Sequence, residues 1–165
     1  MGTSSLHFIN IERGIMKDRI VWLARYEGFF RHICRGIRNG DEACMKQSAQ
    51  FYAAMIPRNA IVVPMPGHEG MAKQMLFIAY EIGKLRDDIM IRDVLKSQPH
   101  TSNHDQKMCG RVPLPIRMEC NCDNPFANKP IVVIDNVVVS GVTAQAALDA
   151  LPSAMVFCLC KDMWR

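Results

Sequence analysis

The chain has 165 residues, of which 20 are Lys or Arg, 16 are Asp or Glu and 49% are hydrophobic. This composition is typical of an ordinary globular protein and excludes the fibrous and intrinsically disordered classes. At this length a single domain is expected. The formal net charge of +4 comes without a run of basic residues, so nucleic acid is not indicated as a partner, whereas a small anionic ligand is compatible with it.

The sequence predicts neither a signal peptide nor a membrane-spanning segment. Residues 1–19 contain no apolar segment with basic residues before it, so no signal peptide is indicated. No stretch approaches the roughly 18 apolar residues that a membrane span requires. Cysteines without a C-x-x-C pair are typical of a reduced compartment. We therefore expect a soluble, cytoplasmic protein.

A zinc site is the alternative interpretation of part of the cysteine set. Its candidate ligands are Cys109, Cys120 and Cys122 with His100 or His104. Structural zinc sites usually contain C-x₂₋₄-C spacings, which this set lacks. The spacing therefore favours cysteines that pack as small apolar residues, and no metal held by protein side chains is predicted.

The first third of the chain predicts two helices and then a buried strand. Apolar residues recur at helical intervals over residues 15–38, and Asp41 is suited to N-cap a second helix that extends to Ile56. Residues 60–63, Ala-Ile-Val-Val, are apolar at every position. That pattern indicates a strand that is covered on both faces in a parallel sheet.

The middle of the chain predicts a loop, a helix and an irregular segment. Residues 64–70, Pro-Met-Pro-Gly-His-Glu-Gly, cannot continue the strand, and a helical apolar repeat begins at Met71. Residues 88–95 are predicted to form a second strand. Residues 96–129 show no sustained period, which indicates a functional lid or a missed element such as a short strand near residues 116–120.

The last third contains the clearest strand of the sequence. Residues 131–134, Ile-Val-Val-Ile, are apolar on both faces and lead into a loop at residues 135–143. An alanine-rich helix is predicted over residues 144–151, and residues 154–160 return as a buried strand. A strand, a helix and a strand in succession indicate a βαβ unit.

These elements together define the predicted architecture. We predict an α/β fold with a mainly parallel central sheet flanked by helices.

The loop at residues 135–143 has the composition of a binding site. Asp135 can accept hydrogen bonds from ligand hydroxyls, and the N–H groups at the start of the following helix favour a phosphate. Gly141 permits close approach of the backbone, while Ser140 and Thr143 add hydroxyl donors. The combination predicts a site for a phosphorylated ribose. The alternative is an ordinary strand-to-helix turn in which Thr143 is the N-cap.

Residues 132–143, Val-Val-Ile-Asp-Asn-Val-Val-Val-Ser-Gly-Val-Thr, resemble the ribose-phosphate signature of the type I phosphoribosyltransferases. Residues 61–66, Ile-Val-Val-Pro-Met-Pro, resemble the V-P-V-P strand end of the ComF-type members, and residues 93–111 are faintly similar to their lid. The resemblance covers about residues 60–160. It is closest to the ComF-type and amidophosphoribosyltransferase-like members.

The resemblance implies a reaction and its participants. The protein would bind 5-phosphoribosyl-1-pyrophosphate, with Mg²⁺ carried by the diphosphate, and would transfer ribose 5-phosphate to a nitrogen acceptor such as a nucleobase. Pyrophosphate would be released. The resemblance also implies that residues 1–58 form an N-terminal helical hood, which would recognise the acceptor, and that residues 59–165 form the core.

The resemblance also implies a role for particular residues. The catalytic pair at the ribose would be Asp135 and Asn136. The loop that binds the 5′-phosphate would comprise Val139, Ser140, Gly141, Val142 and Thr143. The loop that binds pyrophosphate through its backbone amides would comprise Met65, Pro66, Gly67, His68, Glu69 and Gly70. The basic residues that would neutralise the diphosphate are Lys73, Lys107 and Arg111.

Two positions depart from the signature. Asn136 stands where the family has a second acid, and it carries no charge to support a cationic ribose. Val139 stands where the family has the first Thr of its phosphate loop, which removes a hydroxyl but keeps the backbone N–H. The alternative function is therefore a non-catalytic or weakly active phosphoribosyl- or nucleotide-binding module of ComF-like, competence or regulatory type. The sequence leaves open which acceptor is used and whether the chain forms a homodimer.

Overall fold

The computed structural model describes residues 13–102, 108–112, 115–122, 126 and 128–163. The strands are β1 (Gly14–Met16), β2 (Ile20–Arg25), β3 (Ile61–Pro64), β4 (Met90–Ile91), β5 (Leu95–Ser97), β6 (Met118–Cys120), β7 (Ile131–Val138) and β8 (Ala154–Lys161). The helices are α1 (Gly28–Arg38), α2 (Glu42–Met55), α3 (Lys73–Leu85) and α4 (Val142–Ala150). Within these ranges, no helix combines the length and the apolar composition needed to span a membrane.

A six-stranded sheet in the order β1-β2-β8-β7-β3-β4 forms the centre of the molecule. All of its neighbouring strands are parallel except β1 and β2, which form an antiparallel hairpin. The three central strands are apolar on both faces, and Val63, Ile134 and Val156 are completely buried. This arrangement confirms the predicted α/β class and its mainly parallel sheet.

The helices pack on this sheet and against each other. Helix α2 lies between α1 and α3, and α4 packs against β7, β8 and the strand β6. The N-cap prediction for α2 is confirmed, since the Cys44 N–H donates to the Asp41 carboxylate at 3.0 Å. Tyr52 of α2 is completely buried, and its hydroxyl donates to the backbone carbonyl of Asp135 in β7. These contacts join the first part of the chain to the centre of the sheet.

The helix predicted over residues 15–38 is wrong in its first half. Strand β2 occupies part of this segment and pairs with β8, with Ile20 beside Val156 and Arg25 beside Lys161. Residues 20–24, Ile-Val-Trp-Leu-Ala, are apolar in succession, so they can cover an edge of β8 that would otherwise leave backbone groups unpaired. The N-terminal hood is therefore not purely helical. The division at residues 58 and 59 stays a prediction, although strands on both sides of it share one sheet.

The strand predicted over residues 88–95 is also wrong in its extent. It is divided into β4, which pairs with β3, and β5, which pairs with β6 in a separate antiparallel ribbon. The chain leaves the central sheet at the charged pair Arg92 and Asp93, and it returns to the interior at Leu95, which is completely buried. The short strand expected near residues 116–120 is confirmed as β6.

Strand β7 is longer than predicted, which changes the position of the candidate acid. The loop was expected to begin at Asp135, but β8 runs alongside β7 as far as the pair Val138 and Lys161. Because β8 provides hydrogen-bonding partners and residues 137–139 are all valine, the strand continues. Asp135 and Asn136 therefore lie within the strand, and the loop before α4 is residues 139–141.

Candidate functional site

An open pocket of about 260 Å³ lies at the carboxyl ends of β3, β7 and β8. Ligands of open parallel sheets bind at this edge. The pocket is lined by residues of these strand ends and of the segments that follow them, together with residues of α1 and of the segment after β5. These residues are Tyr26, Arg38, Met65, Pro66, Gly67, His68, His100, Ser102, Asp135, Val137, Val138, Val139, Ser140, Gly141, Val142, Thr143, Ala144 and Asp162.

The predicted phosphate loop lies entirely on this pocket. Gly141 is the N-cap of α4 in a left-handed conformation, with φ +80°, and no side chain caps the helix. Thr143 is therefore not the N-cap, contrary to the alternative interpretation of the loop. The first N–H groups of a helix have no acceptor within it, so the start of α4 presents donors and the positive end of its dipole to the pocket.

The loop is closely packed from behind. A Cβ at Gly141 would lie 3.1 Å from the Cε of Met16, which comes from the β1–β2 hairpin. Lys161 donates from Nζ to the carbonyl of Val139 at 2.8 Å, and the Asp162 N–H donates to the carbonyl of Val138 at 2.9 Å. These bonds hold the carbonyls at the end of β7, and a side chain at Gly141 would require the end of the Met16 side chain to shift by a few tenths of an ångström.

Asp135 is a half-buried acid in the wall of the pocket. Burial raises the pKa of its carboxyl to about 6, and the N–H of Asn136, which donates to it at 2.8 Å, acts in the opposite direction. The buried Tyr52 holds its backbone carbonyl. Asp135 is therefore fixed in position, and its charged form is poorly solvated, so it would gain from hydrogen-bond donors on a ligand.

Asn136 does not line the pocket, although the signature gives it a role there. Its Nδ2 donates to the backbone carbonyl of Cys34 in α1 at 3.0 Å. Its Oδ1 is buried without a hydrogen-bond partner among the described residues. The structure therefore does not bring the predicted catalytic pair together at the pocket, because the amide of Asn136 is bound to α1.

The predicted pyrophosphate loop lies on the pocket with four of its six residues, Met65 to His68, whereas Glu69 and Gly70 do not line it. Most of its backbone donors are already used. Pro66 has no N–H, and the N–H groups of Met65, Gly67 and Gly70 donate to the carbonyls of Ile134, Met71 and Gly67. Within the described part of the chain, the N–H groups left for a ligand are those of His68 and Glu69.

The strand β5 fixes the shape of this loop. Gly70 has φ +91°, and a Cβ there would lie 2.6 Å from the carbonyl oxygen of Ser97, so no other residue fits. The Ser97 hydroxyl donates to the carbonyl of Gly67 at 3.3 Å, and the His100 N–H donates to the carbonyl of His68 at 2.9 Å. The loop and the segment after β5 therefore form one wall of the pocket.

Two of the three basic residues that were expected to neutralise a diphosphate, Lys73 and Arg111, do not line the pocket. Lys73 forms an exposed ion pair with Glu69, and this pairing lowers the pKa of the Glu69 carboxyl. Arg111 is exposed and does not line the pocket. Lys107 lies outside the described residues. None of the three is thus placed at the pocket by the described structure.

The predicted site residues leave out eight lining residues. Val137, Val138 and Ala144 adjoin residues that were predicted, and the five that lie elsewhere in the chain are Tyr26, Arg38, His100, Ser102 and Asp162. Tyr26 directly follows β2 and Asp162 directly follows β8, so the convergence of parallel strand ends would have predicted both once β2 was assigned as a strand. No sequence signal indicates the other three, which reach the pocket from α1 and from the irregular segment.

The expected Mg²⁺ is consistent with the donors at the pocket. Mg²⁺ prefers oxygen ligands and is commonly bound by one or two carboxylates together with substrate phosphates. Asp135 supplies such a carboxylate beside the phosphate loop. The described residues contain no group of three His, Cys, Asp or Glu side chains that is suited to hold a metal, and His104 lies outside them. Mg²⁺ at this pocket would therefore be held jointly by the Asp135 carboxylate and the phosphates of a ligand.

No protein-family model matches the chain, and no curated protein matches it. Among the solved structures, it is similar to a purine phosphoribosyltransferase from Pyrococcus horikoshii with a TM-score of 0.40 and 16% sequence identity. The match covers 88% of this chain and 80% of that chain. An identity and a TM-score this low assign no role to any residue.

Proposed function

We propose that the protein has a phosphoribosyltransferase-like function and that its pocket binds 5-phosphoribosyl-1-pyrophosphate. One observation carries this proposal. The poorly solvated acid Asp135 and the uncapped N-terminus of α4 line the same pocket at the carboxyl edge of the sheet. An acceptor for hydroxyls beside a set of donors for phosphate matches the chemistry of a phosphorylated ribose.

The pocket offers a different group to each part of this ligand. The N–H groups at residues 141–144 and the hydroxyls of Ser140 and Thr143 would bind the 5′-phosphate. Asp135 would accept from a ribose hydroxyl. The wall formed by residues 65–68 would face the diphosphate at the other end of the ribose, which supports an extended ligand across the pocket.

The proposed reaction exchanges one bond at C1′ of the ribose. The bond between C1′ and the diphosphate oxygen breaks, a bond between C1′ and the acceptor nitrogen forms, and the acceptor loses its N–H proton to solvent. Bound Mg²⁺ would stabilise the negative charge of the leaving diphosphate. Asp135 would hold the ribose while positive charge develops on it, and its carboxylate would stabilise that charge.

A second function is favoured by the placement of Asn136. The signature has two adjacent acids, whereas this chain has Asp135 followed by Asn136, whose amide binds the Cys34 carbonyl and does not line the pocket. This supports the alternative of a phosphoribosyl- or nucleotide-binding module with little or no turnover. The two candidates differ in one measurable outcome, which is release of pyrophosphate in the presence of nucleobases.

The binding proposal is tested by calorimetric titration with 5-phosphoribosyl-1-pyrophosphate, with and without Mg²⁺. We expect the wild type to bind and Asp135→Asn to bind at least tenfold more weakly, since a charged hydrogen bond is worth about 1.5–3 kcal/mol. Asp149→Asn is the matched control, because Asp149 is exposed on α4 and bonds to Gln145. Absence of binding by the wild type, or equal affinity of all three proteins, would refute the assigned site.

Turnover is tested separately, by measuring pyrophosphate release from the wild type with a panel of purines and pyrimidines. Release with any base identifies an enzyme. Binding without release identifies the module. Asn136→Asp is not a simple restoration of an acid, because its new oxygen would lie against the Cys34 carbonyl that the amide now binds. Val139→Thr is the cleaner substitution, since it restores a hydroxyl at a position that lines the pocket.

A further inference from the structure

Arg38 is a cationic side chain of the pocket that the predicted site did not include. It is the last residue of α1, it is exposed, and it lines the pocket. Its guanidinium has no hydrogen-bond or ion-pair partner among the described residues. A guanidinium presents a planar set of donors that matches phosphate oxygens in pairs. Arg38 is therefore available to an anionic group of a ligand.

The other basic side chains near the pocket are already occupied or lie elsewhere. Lys161 holds the carbonyl of Val139, and Lys73 is paired with Glu69. Arg111 is exposed away from the pocket. Among the described lining residues, Arg38 is the one Lys or Arg side chain.

The diphosphate end of the proposed ligand needs such a group. The wall formed by residues 65–68 offers few backbone donors, because the N–H groups of Met65 and Gly67 are bonded within the protein and Pro66 has none. A diphosphate carries more negative charge than the 5′-phosphate, and the N-terminus of α4 is assigned to the latter. Without a cationic side chain, its charge would be compensated by the metal and by the few N–H groups that remain, such as that of His68.

We propose that Arg38 binds the diphosphate group of the ligand, in the role that the sequence assigned to Lys73, Lys107 and Arg111. This inference rests on the proposed function. It makes α1 part of the binding site, so that the first part of the chain contributes to the phosphate chemistry as well as covering the sheet.

Two contacts hold α1 in the position that this role requires. The amide of Asn136 in β7 donates to the Cys34 carbonyl at 3.0 Å, and the Cys34 thiol contacts the thiol of Cys160 in β8 at 3.4 Å. Cys34 and Arg38 are one turn apart on α1. The helix is thus fixed to β7 and β8 one turn before Arg38, which limits the positions that the guanidinium can adopt.

The test measures two parts of the ligand separately, by calorimetric titration with inorganic pyrophosphate in Mg²⁺ and with ribose 5-phosphate. We expect Arg38→Met to weaken the binding of pyrophosphate at least tenfold and to change that of ribose 5-phosphate less than twofold. Arg38→Lys should recover part of the loss, because it restores the charge without the planar donors. Arg35→Met is the matched control, since Arg35 is also a basic residue in the last turn of α1 but does not line the pocket.

Each other outcome has a defined meaning. If Arg38→Met and Arg35→Met give equal affinities for pyrophosphate, or if Arg38→Met weakens both ligands equally, Arg38 has no specific role at the diphosphate and the inference is wrong. If the wild type binds neither ligand, the proposed function fails instead. Thermal unfolding of each variant separates loss of binding from loss of fold.

Discussion

The two edges of the central sheet differ in how completely their polar groups are hydrogen-bonded within the protein. At the amino edge, before β3 and β4, Arg86 donates to both oxygens of Asp88 at 2.6 and 2.7 Å. It also donates to the carbonyls of Ala53, Ile56 and Pro57 at 2.8, 3.0 and 3.2 Å. All five donors of the guanidinium are used, and the end of α2 is closed. At this edge polar groups hold the fold together.

At the carboxyl edge, several polar groups are less completely bonded within the protein. The start of α4 has no side-chain cap, the guanidinium of Arg38 has no acceptor among the described residues, and burial raises the pKa of Asp135. A helix N-terminus, a guanidinium and a carboxylate on one pocket are groups that can bind a ligand carrying both phosphate and hydroxyl groups. Both edges have pockets, and the proposed function assigns ligand binding to the edge at which these groups are less completely bonded within the protein.

The largest effect is expected at the amino edge. Arg86→Met would remove the guanidinium from three carbonyls and leave the Asp88 carboxylate with the Asn59 N–H as its donor, and we expect it to lower the free energy of unfolding by about 3 kcal/mol. Urea denaturation measures this loss. Arg92→Met is the control, because Arg92 is exposed and bonds to a single neighbouring carbonyl. A loss below about 1 kcal/mol would show that the network is not structural.

The next effect concerns the pH dependence of stability at Asp135. Because its pKa rises from 3.8 to about 6 on folding, the folded state retains a proton that the unfolded state releases. The stability that this proton provides is present below pH 4 and is lost as the pH rises through 6. We expect the unfolding free energy of the wild type to fall relative to Asp135→Asn by about 2–3 kcal/mol over this range. Parallel curves for the two proteins would contradict the burial of the charge.

The smallest effect is expected when each of two glycines with a left-handed backbone is replaced by Ala. Gly141 and Gly40 have φ of +80° and +76°, but only at Gly141 would an added Cβ meet other atoms, the closest at 3.1 Å. Substitution by Ala should cost about 1 kcal/mol of stability at each position because of the left-handed backbone. Titration with ribose 5-phosphate should detect weaker binding for Gly141→Ala alone. Equal affinity of the two variants would remove the loop before α4 from the binding site.

The sequence predicted the parts of the fold in which local pattern and burial agree. The strands at residues 60–63, 131–134 and 154–160 are apolar on both faces, which is the consequence of a central position in a parallel sheet. Residues 20–24 are also apolar in succession, but the sequence pattern predicts a helix there. Their strand conformation depends on the distant β8, which no local pattern contains.

The candidate site was predictable to a similar degree. The loop before α4 and the loop after β3 were located from glycine, proline and small polar residues, since turn chemistry is local. The position of Asn136 depends on a bond to α1, which lies 102 residues away in sequence. Arg38 is at the pocket because α1 ends there. Contacts of this kind follow from the packing of helices on the sheet and have no signature in the chain.

The central claim is that the carboxyl edge of the sheet binds a phosphorylated ribose. Its most direct test is a titration with ribose 5-phosphate, followed by the backbone amide resonances of the protein. We predict shifts at Gly141 to Ala144 that saturate together, and unchanged resonances at Asn59 and Asp88 of the amino edge. Unchanged resonances at the start of α4, or equal shifts at both edges, would contradict the account.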